Sequence, residues 1–348
     1  MKAVPQPLLP EELAGHFFGV GSVSDHDYSV PKGYVKDLKV PYAYQVPSFR
    51  EEDMIRQFGS LIEGFEEEGD FVLDIDFYTY REMTEEEDPI LIDEGHMHSL
   101  YALLDGTKYP FFKTQQTAPA TMGFSIRDGN GQQHLNERLF YFYSRLMARV
   151  AQGQVNMLGS SCEAIILCQD DPGLGHVKSM IEDGKVVDLS LRQIVSRTDE
   201  IYPDGVIPSY HFCDDWRTLE SKGWYPLWES RPKIVHIDLV KYAPEIDGEQ
   251  AEKINRFLKA GGGLALGVLP NTDDAYEKPV LETLQSNLTS RLGLMYESGV
   301  DLERIGKQAM ISTQCGLSGA SPNLTREIHE ASANFSEVFQ IALAQIIK

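Results

Sequence analysis

Apolar positions change their period along this chain. From Tyr109 onward, short apolar runs alternate with longer stretches whose apolar residues recur every three or four positions. Tyr109 to Pro119 reads as a strand and a turn, and Glu163 to Asp170 as a buried strand ending in carboxylates. Val206 to Cys213, Ile234 to Val240, Gly263 to Leu269 and Met310 to Cys315 read as further strands. Asn136 to Gln152, Gly248 to Ala260, Tyr276 to Leu294 and Thr325 to Ile347 read as helices. Earlier in the chain, Phe17 to Val23 reads as a strand breaking into a Gly-Ser loop, and Phe71 to Tyr78 alternates as a strand. Between them, Glu51 to Glu66 places Met54, Ile55, Phe58, Leu61, Ile62 and Phe65 on one helical stripe. Alternating strands and helices predict an α/β fold with a parallel sheet under helical cover. Counting Phe17, Phe71 (or the region of Val40) and the six later runs gives about eight strands, the number that closes a TIM (β/α)8 barrel. With no linker and no internal repeat, the prediction is a single domain over 1–348, with an N-terminal extension and acidic insertions at about 51–95.

A chain of 348 residues accommodates one such barrel with additions. Asp and Glu number 53 against 31 Lys and Arg, a formal charge of −22. That surface repels nucleic acid and anionic membranes, so neither is expected as a partner. The acidic residues cluster in Glu51 to Glu87, as a solvated face. No apolar run is long enough to cross a bilayer, and the opening Met-Lys-Ala-Val-Pro-Gln-Pro lacks the apolar core of a signal peptide. The four cysteines, Cys162, Cys168, Cys213 and Cys315, form no disulfide framework and suit reduced thiols that bind metal or act in catalysis. A cytoplasmic location is therefore expected.

Candidate chemistry centres on His211-Phe-Cys213 at a strand end, where positions i and i+2 share a face. Imidazole and thiolate together make half of a tetrahedral zinc site. Alone, a His-x-Cys pair also fits an ordinary core, where cysteine is common. Later strand ends supply partners: Cys315, followed by Gly316, and either His236 or Asp238, which alternation puts on one face. Other signals are weaker. Gly19-x-Gly21 is not a dinucleotide motif, because Ser24 stands at the third glycine position and no βαβ unit follows promptly. His96-Met-His98 enters a helix, where i and i+2 diverge, so these histidines suit a surface or cap. Asp170 and Asp171 point opposite ways on a strand and form no acid/base pair, though one can face a barrel mouth.

Taken together, these elements resemble the cobalamin-independent methionine synthases, specifically their C-terminal catalytic barrel. Gly19-Val-Gly-Ser22 is similar to the family's Ile-Gly-Ser element, and Asp53-Met-Ile-Arg-Gln-Phe-Gly59 to its Asp-Met-Val-x-Tyr-Phe-Gly. Lys113-Thr-Gln-Gln-Thr-Ala-Pro119 resembles Lys-x-x-x-Thr-Gly-Pro, and Gln169-Asp-Asp-Pro-Gly-Leu174 resembles Asp-Glu-Pro-Ala-Leu. His211-Phe-Cys213 matches His-x-Cys, and Gln314-Cys-Gly-Leu317 matches Asp-Cys-Gly-Leu. The resemblance runs along almost the whole chain.

The resemblance implies a zinc ion held by His211, Cys213, Asp238 and Cys315, with Asp in place of the family's Glu. It implies that Ser22 and Asp170 bind homocysteine, whose zinc-activated thiol receives a methyl group to give methionine. A family glutamate before the Asp-Met helix is missing, and Ser48 stands near its place. Pro270-Asn-Thr272 replaces an Asp-Ile-His that protonates the folate leaving group, and the chain has no room for the family's N-terminal half. Short single-barrel relatives point instead to methylcobalamin, or a methylated corrinoid protein, as donor and partner. Two rivals keep the zinc barrel: transfer to another thiol such as coenzyme M, and a non-catalytic barrel that binds zinc or a corrinoid protein. A uroporphyrinogen decarboxylase shares the broader fold but does not require the zinc ligands.

Overall fold

The computed structural model describes residues 6–133 and 135–347. Part of the N-terminal stretch read for a signal peptide, residues 1–5, lies outside the described residues. The strands are β1 (Phe65–Glu68), β2 (Asp70–Leu73), β3 (Tyr109–Thr117), β4 (Ile126–Arg127), β5 (Cys162–Asp170), β6 (Ile207–Phe212), β7 (Ile234–Asp238), β8 (Gly263–Leu269) and β9 (Ala309–Thr313). Six of them form one curled parallel sheet in the order β3-β5-β6-β7-β8-β9. Every residue of β7, β8 and β9 is buried, as expected of parallel strands covered on both faces. Among the described residues no helix is long and apolar enough to cross a membrane.

The register decides which residues meet. Thr117, Asp170, His211, His236, Ala265 and Met310 pair successively from β3 to β9. They share one face of the sheet with Gln115, Ser209 and Asp238, two residues away along their strands, and with Lys113, four away. Toward the strand N-termini the same face is apolar. Phe111, Ile166, Cys168, Ile234, Ala265 and Met310 cluster there with Leu9, Leu13, Phe18 and Val40. The opposite face carries Phe112, Leu167, Phe212, Ile237 and Leu266 into the larger core, on which the helices pack. The inner face is thus an apolar floor beneath a polar upper layer.

The closed eight-stranded barrel expected from the sequence is not what the ladders form. The regular sheet stops at β3 and β9. Between these edges run two extended segments joined by isolated bridges, Phe17 to Ile311, Ser22 to Gln45 and Tyr42 to Lys113. Each bridge is a short backbone pairing: Phe18 N–H donates to the Ile311 carbonyl (2.7 Å) and Ile311 N–H to His16 (2.9 Å), Gln45 N–H to Gly21 (3.1 Å) and Val23 N–H to Gln45 (2.9 Å), and Ala43 N–H to Lys113 (2.9 Å) and Lys113 N–H to Pro41 (2.8 Å). Pro41 has no N–H to extend a ladder. Gly19 is pressed against the Tyr42 ring, where a Cβ would lie 2.2 Å from a ring carbon. Phe71, counted among the barrel strands, lies in β2 of a separate sheet ordered β1-β2-β4.

The helix predicted over Glu51 to Glu66 is also replaced. A 3-10 turn, Arg50–Glu52, is followed by a single turn, Arg56–Gly59, and then by β1. Its polar residues explain the break. Asp53 Oδ1 accepts from the backbone N–H groups of Ile55 and Arg56, restarting the helix. Glu52 is buried and accepts from Val46 N–H at 2.6 Å. Asp76 likewise accepts from Thr79 N–H and starts the helix Phe77–Glu85, so the strand expected over Phe71 to Tyr78 ends early, at Leu73.

Candidate metal centre

The polar upper layer brings together the residues of interest. His211 lies near the end of β6 with Cys213 just beyond it, and Cys315 lies in the turn that follows β9. One donor atom from each of His211, Cys213 and Cys315 lies within 4.8 Å of the others. Cys315 Sγ is 3.8 Å from His211 Nε2. Zinc bonds of about 2.3 Å to sulfur and about 2.0–2.1 Å to nitrogen set tetrahedral ligand spacings of about 3.5–3.8 Å. The one nitrogen and two sulfurs are the soft donor set that zinc prefers, so these residues fit that ion.

The three groups already share protons unevenly. A hydrogen bond from Cys213, and then His211, holds the Cys315 thiol far below its usual range. Cys213 is pushed the other way, first by that hydrogen bond and then by burial. Burial opposes charge on His211, but the hydrogen bond and charge of Cys315 outweigh it and raise its pKa. The pull toward a thiolate is thus strongest at Cys315, and metal binding to such a site releases the ligands' protons.

Asp238 and His236 are placed differently. The Asp238 carboxylate is outside the 4.8 Å group. Its Oδ1 accepts from the N–H groups of Val240 and Lys241, each at 2.8 Å, which leaves Oδ2 unengaged. Burial pushes its pKa up to about 6 against the pull of these donors. His236 is fully buried, and both its ring nitrogens have protein partners, His211 Nδ1 and the Thr313 carbonyl.

Around this group stand the residues suggested for substrate. Asp170 is buried, its Oδ1 has no hydrogen-bond partner, and burial raises its pKa despite nearby Lys113. Ser22 belongs to the extended segment beside β9. Its carbonyl accepts from Leu317 N–H at 2.9 Å, which ties it to the Cys315 turn. Asn271 holds the same turn by donating from Nδ2 to the Gly316 carbonyl at 2.9 Å. Ser48 is exposed in its loop. His98 contacts Glu52 at 2.9 Å and His96 contacts Asp93 at 3.0 Å.

Further polar residues here had no assigned role in the sequence. Lys113 is wholly buried, donates to the Val20 carbonyl (2.8 Å) and Gln115 Oε1 (2.9 Å), and sits over the Phe18 ring. Gln45 donates to Gln57 at 2.6 Å. Their signal was present: Lys113, Gln115 and Thr117 are polar at i, i+2 and i+4 in a strand whose alternate face is buried. Polar residues at inward positions mark a site more often than a core.

No protein-family model and no curated relative matches the chain. Among solved structures it is similar to a B12-independent methionine synthase from Shewanella sp. W3-18-1, bound to selenomethionine. That likeness has 17% identity and a TM-score of 0.46, covering 71% of this chain and 67% of the other. It is also similar to a putative vitamin-B12 independent methionine synthase from Listeria monocytogenes. Here identity is 13% and the TM-score 0.52, covering 93% of this chain and 96% of the other. At such identity the second likeness speaks to the fold, which extends over nearly the full length of both chains.

Proposed function

We propose that this protein is a zinc-dependent methyltransferase that moves a methyl group to the thiol of homocysteine, forming methionine. The observation that carries the reading is the His211, Cys213 and Cys315 donor set at strand ends, beside Asp170, whose Oδ1 has no hydrogen-bond partner among the described residues. His211, Cys213 and Cys315 would hold the ion, and the unengaged Oδ2 of Asp238 is the proposed fourth donor. When bound, zinc lowers the pKa of a thiol so that it exists as a nucleophilic thiolate near neutral pH.

The protein's own groups handle the rest. Asp170 Oδ1 offers a buried acceptor for a substrate ammonium. Ser22 offers a hydroxyl for the substrate carboxylate, next to the Cys315 turn. The apolar floor closes the inner face from below, so reactants meet at the strand C-terminal end. The loop after β8 carries Pro270, Asn271 and Thr272, none of which titrates near neutral pH. That composition favours a leaving group that needs no proton, hence methylcobalamin or a methylated corrinoid protein as donor. A second reading, transfer to a thiol without an ammonium such as coenzyme M, is favoured by the neutral amides of Gln45 and Gln57 near Ser22.

The test is zinc content of protein purified under reducing, chelator-free conditions, followed by methionine formation from homocysteine. About one zinc per chain, with turnover from methylcobalamin and little from methyltetrahydrofolate, supports the proposal. Comparable turnover from methyltetrahydrofolate overturns the donor assignment. Competition by coenzyme M decides the acceptor. Absence of zinc removes the basis of the reading.

A further inference from the structure

We infer that His236 is a positioning residue that fixes which nitrogen of His211 faces the metal. The inference rests on the zinc reading above, but its central feature is a property of the metal-free protein. His236 Nε2 lies 2.8 Å from the Thr313 carbonyl oxygen. A carbonyl only accepts, so that nitrogen carries the proton. His236 is fully buried, and its two ring nitrogens meet only His211 and the Thr313 carbonyl among the described residues. A ring with its single proton on Nε2 keeps a lone pair on Nδ1. That Nδ1 lies 2.8 Å from His211 Nδ1. The close contact requires one proton between the two nitrogens, and it must come from His211. The reverse arrangement would make His236 a doubly protonated cation, fully buried and with no carboxylate beside it to offset the charge.

The outcome is directional. With Nδ1–H committed to His236, the nitrogen of His211 that faces Cys315 at 3.8 Å is Nε2. The register supplies the geometry, because His211 and His236 are direct partners on neighbouring strands. The chain of contacts does not end there. Thr313 is two residues before Cys315, and its hydroxyl donates to the Cys315 carbonyl at 2.7 Å. A single path, His211 to His236 to Thr313 to Cys315, thus braces two metal-ligand residues from beneath. A metal-bound imidazole held through its other N–H is more basic and better oriented, and loss of such a partner weakens metal binding by about 10–100-fold.

Two measurements test this. The first is imidazole nitrogen NMR on metal-free protein labelled with 15N-histidine. A proton on Nδ1 of His211, none on Nδ1 of His236, and a through-hydrogen-bond coupling between the two nitrogens are expected. A protonated Nδ1 on His236 overturns the inference. The second is the zinc dissociation constant, by chelator competition, for wild type, His236→Phe and His236→Gln. The Phe variant is expected to bind about 10–100-fold more weakly, and the Gln variant, whose amide oxygen can accept, to recover most of that loss. Wild-type affinity in a folded Phe variant overturns the inference. If wild-type protein binds no zinc, the metal reading fails, and the NMR still decides where the proton lies.

Discussion

Ser22 fills the space that a side chain on Gly316 would need. A Cβ built on Gly316 would lie 2.1 Å from the Ser22 hydroxyl oxygen and 3.3 Å from its Cβ. Gly316 therefore lets the turn bearing Cys315 close against the segment bearing Ser22. The Gly316→Ala substitution is expected to cost about 1–3 kcal/mol, as overpacking does, and to weaken zinc binding by displacing Cys315. Pairing it with Ser22→Gly should restore much of the lost stability. Independent effects in the double variant, measured by denaturant titration, would show that the two residues do not press on each other.

The donor set ranks the ligands. Replacing Cys213 or Cys315 by Ser is expected to reduce zinc affinity by at least about 100-fold. Asp238→Ala is expected to do less, since its Oδ1 is already committed to backbone donors. Because the same change removes those hydrogen bonds, stability of the metal-free variant must be measured alongside its metal content. Asp238→Ala affinity as poor as that of Cys213→Ser would make the carboxylate a principal ligand.

Asp170 is expected to act on the acceptor rather than on the metal. Asp170→Asn keeps the shape but removes the charge on an oxygen that no protein group engages. A charge-assisted hydrogen bond of about 1.5–3 kcal/mol predicts a KM for homocysteine raised by about 10–150-fold, with zinc content unchanged. An unaltered KM would remove Asp170 from substrate binding.

His329 gives the protein an acid-sensitive joint in its buried core. It is buried, contacts Tyr42 Oη at 2.8 Å and the Thr325 carbonyl at 2.6 Å, and packs against the Tyr34 ring. Burial lowers its pKa from 6.5 to about 4, against the hydrogen bond to Thr325. The folded pKa is below the unfolded value, so the unfolded chain takes the proton first as pH falls. Its stabilising contribution is complete above about pH 6.5 and declines toward pH 4, by up to about 3 kcal/mol. A His329→Gln variant should lose less stability than wild type across that window in thermal or denaturant melts. Parallel pH profiles would show that another group governs acid unfolding.

The sequence exposed most of the sheet because β5, β7, β8 and β9 carry apolar runs bounded by turns. It also exposed His211, Cys213 and Cys315, since ligand-type residues at strand ends are visible in a linear chain. The first hundred residues were harder to read. Burial of Glu52 and Gln57 and the backbone capping by Asp53 depend on partners that a helical stripe does not reveal. The two extended segments depend on single bridges to β3 and β9. What bears on Asp238 against His236 is the contact of His236 with Thr313, 77 positions along the chain, which no local pattern encodes.

Those single bridges also divide labour within the site. The wall that presents His211, Cys213 and Cys315 is anchored in continuous ladders, whereas the wall that presents Ser22 and Gln45 hangs on a few hydrogen bonds. Local opening is cheapest where backbone bonds and ladder contacts are fewest. The metal-ligand side is thus the stiff jaw and the Ser22 side the compliant one, and the sheet's unfinished seam is where a substrate can be admitted without loosening the grip on an ion.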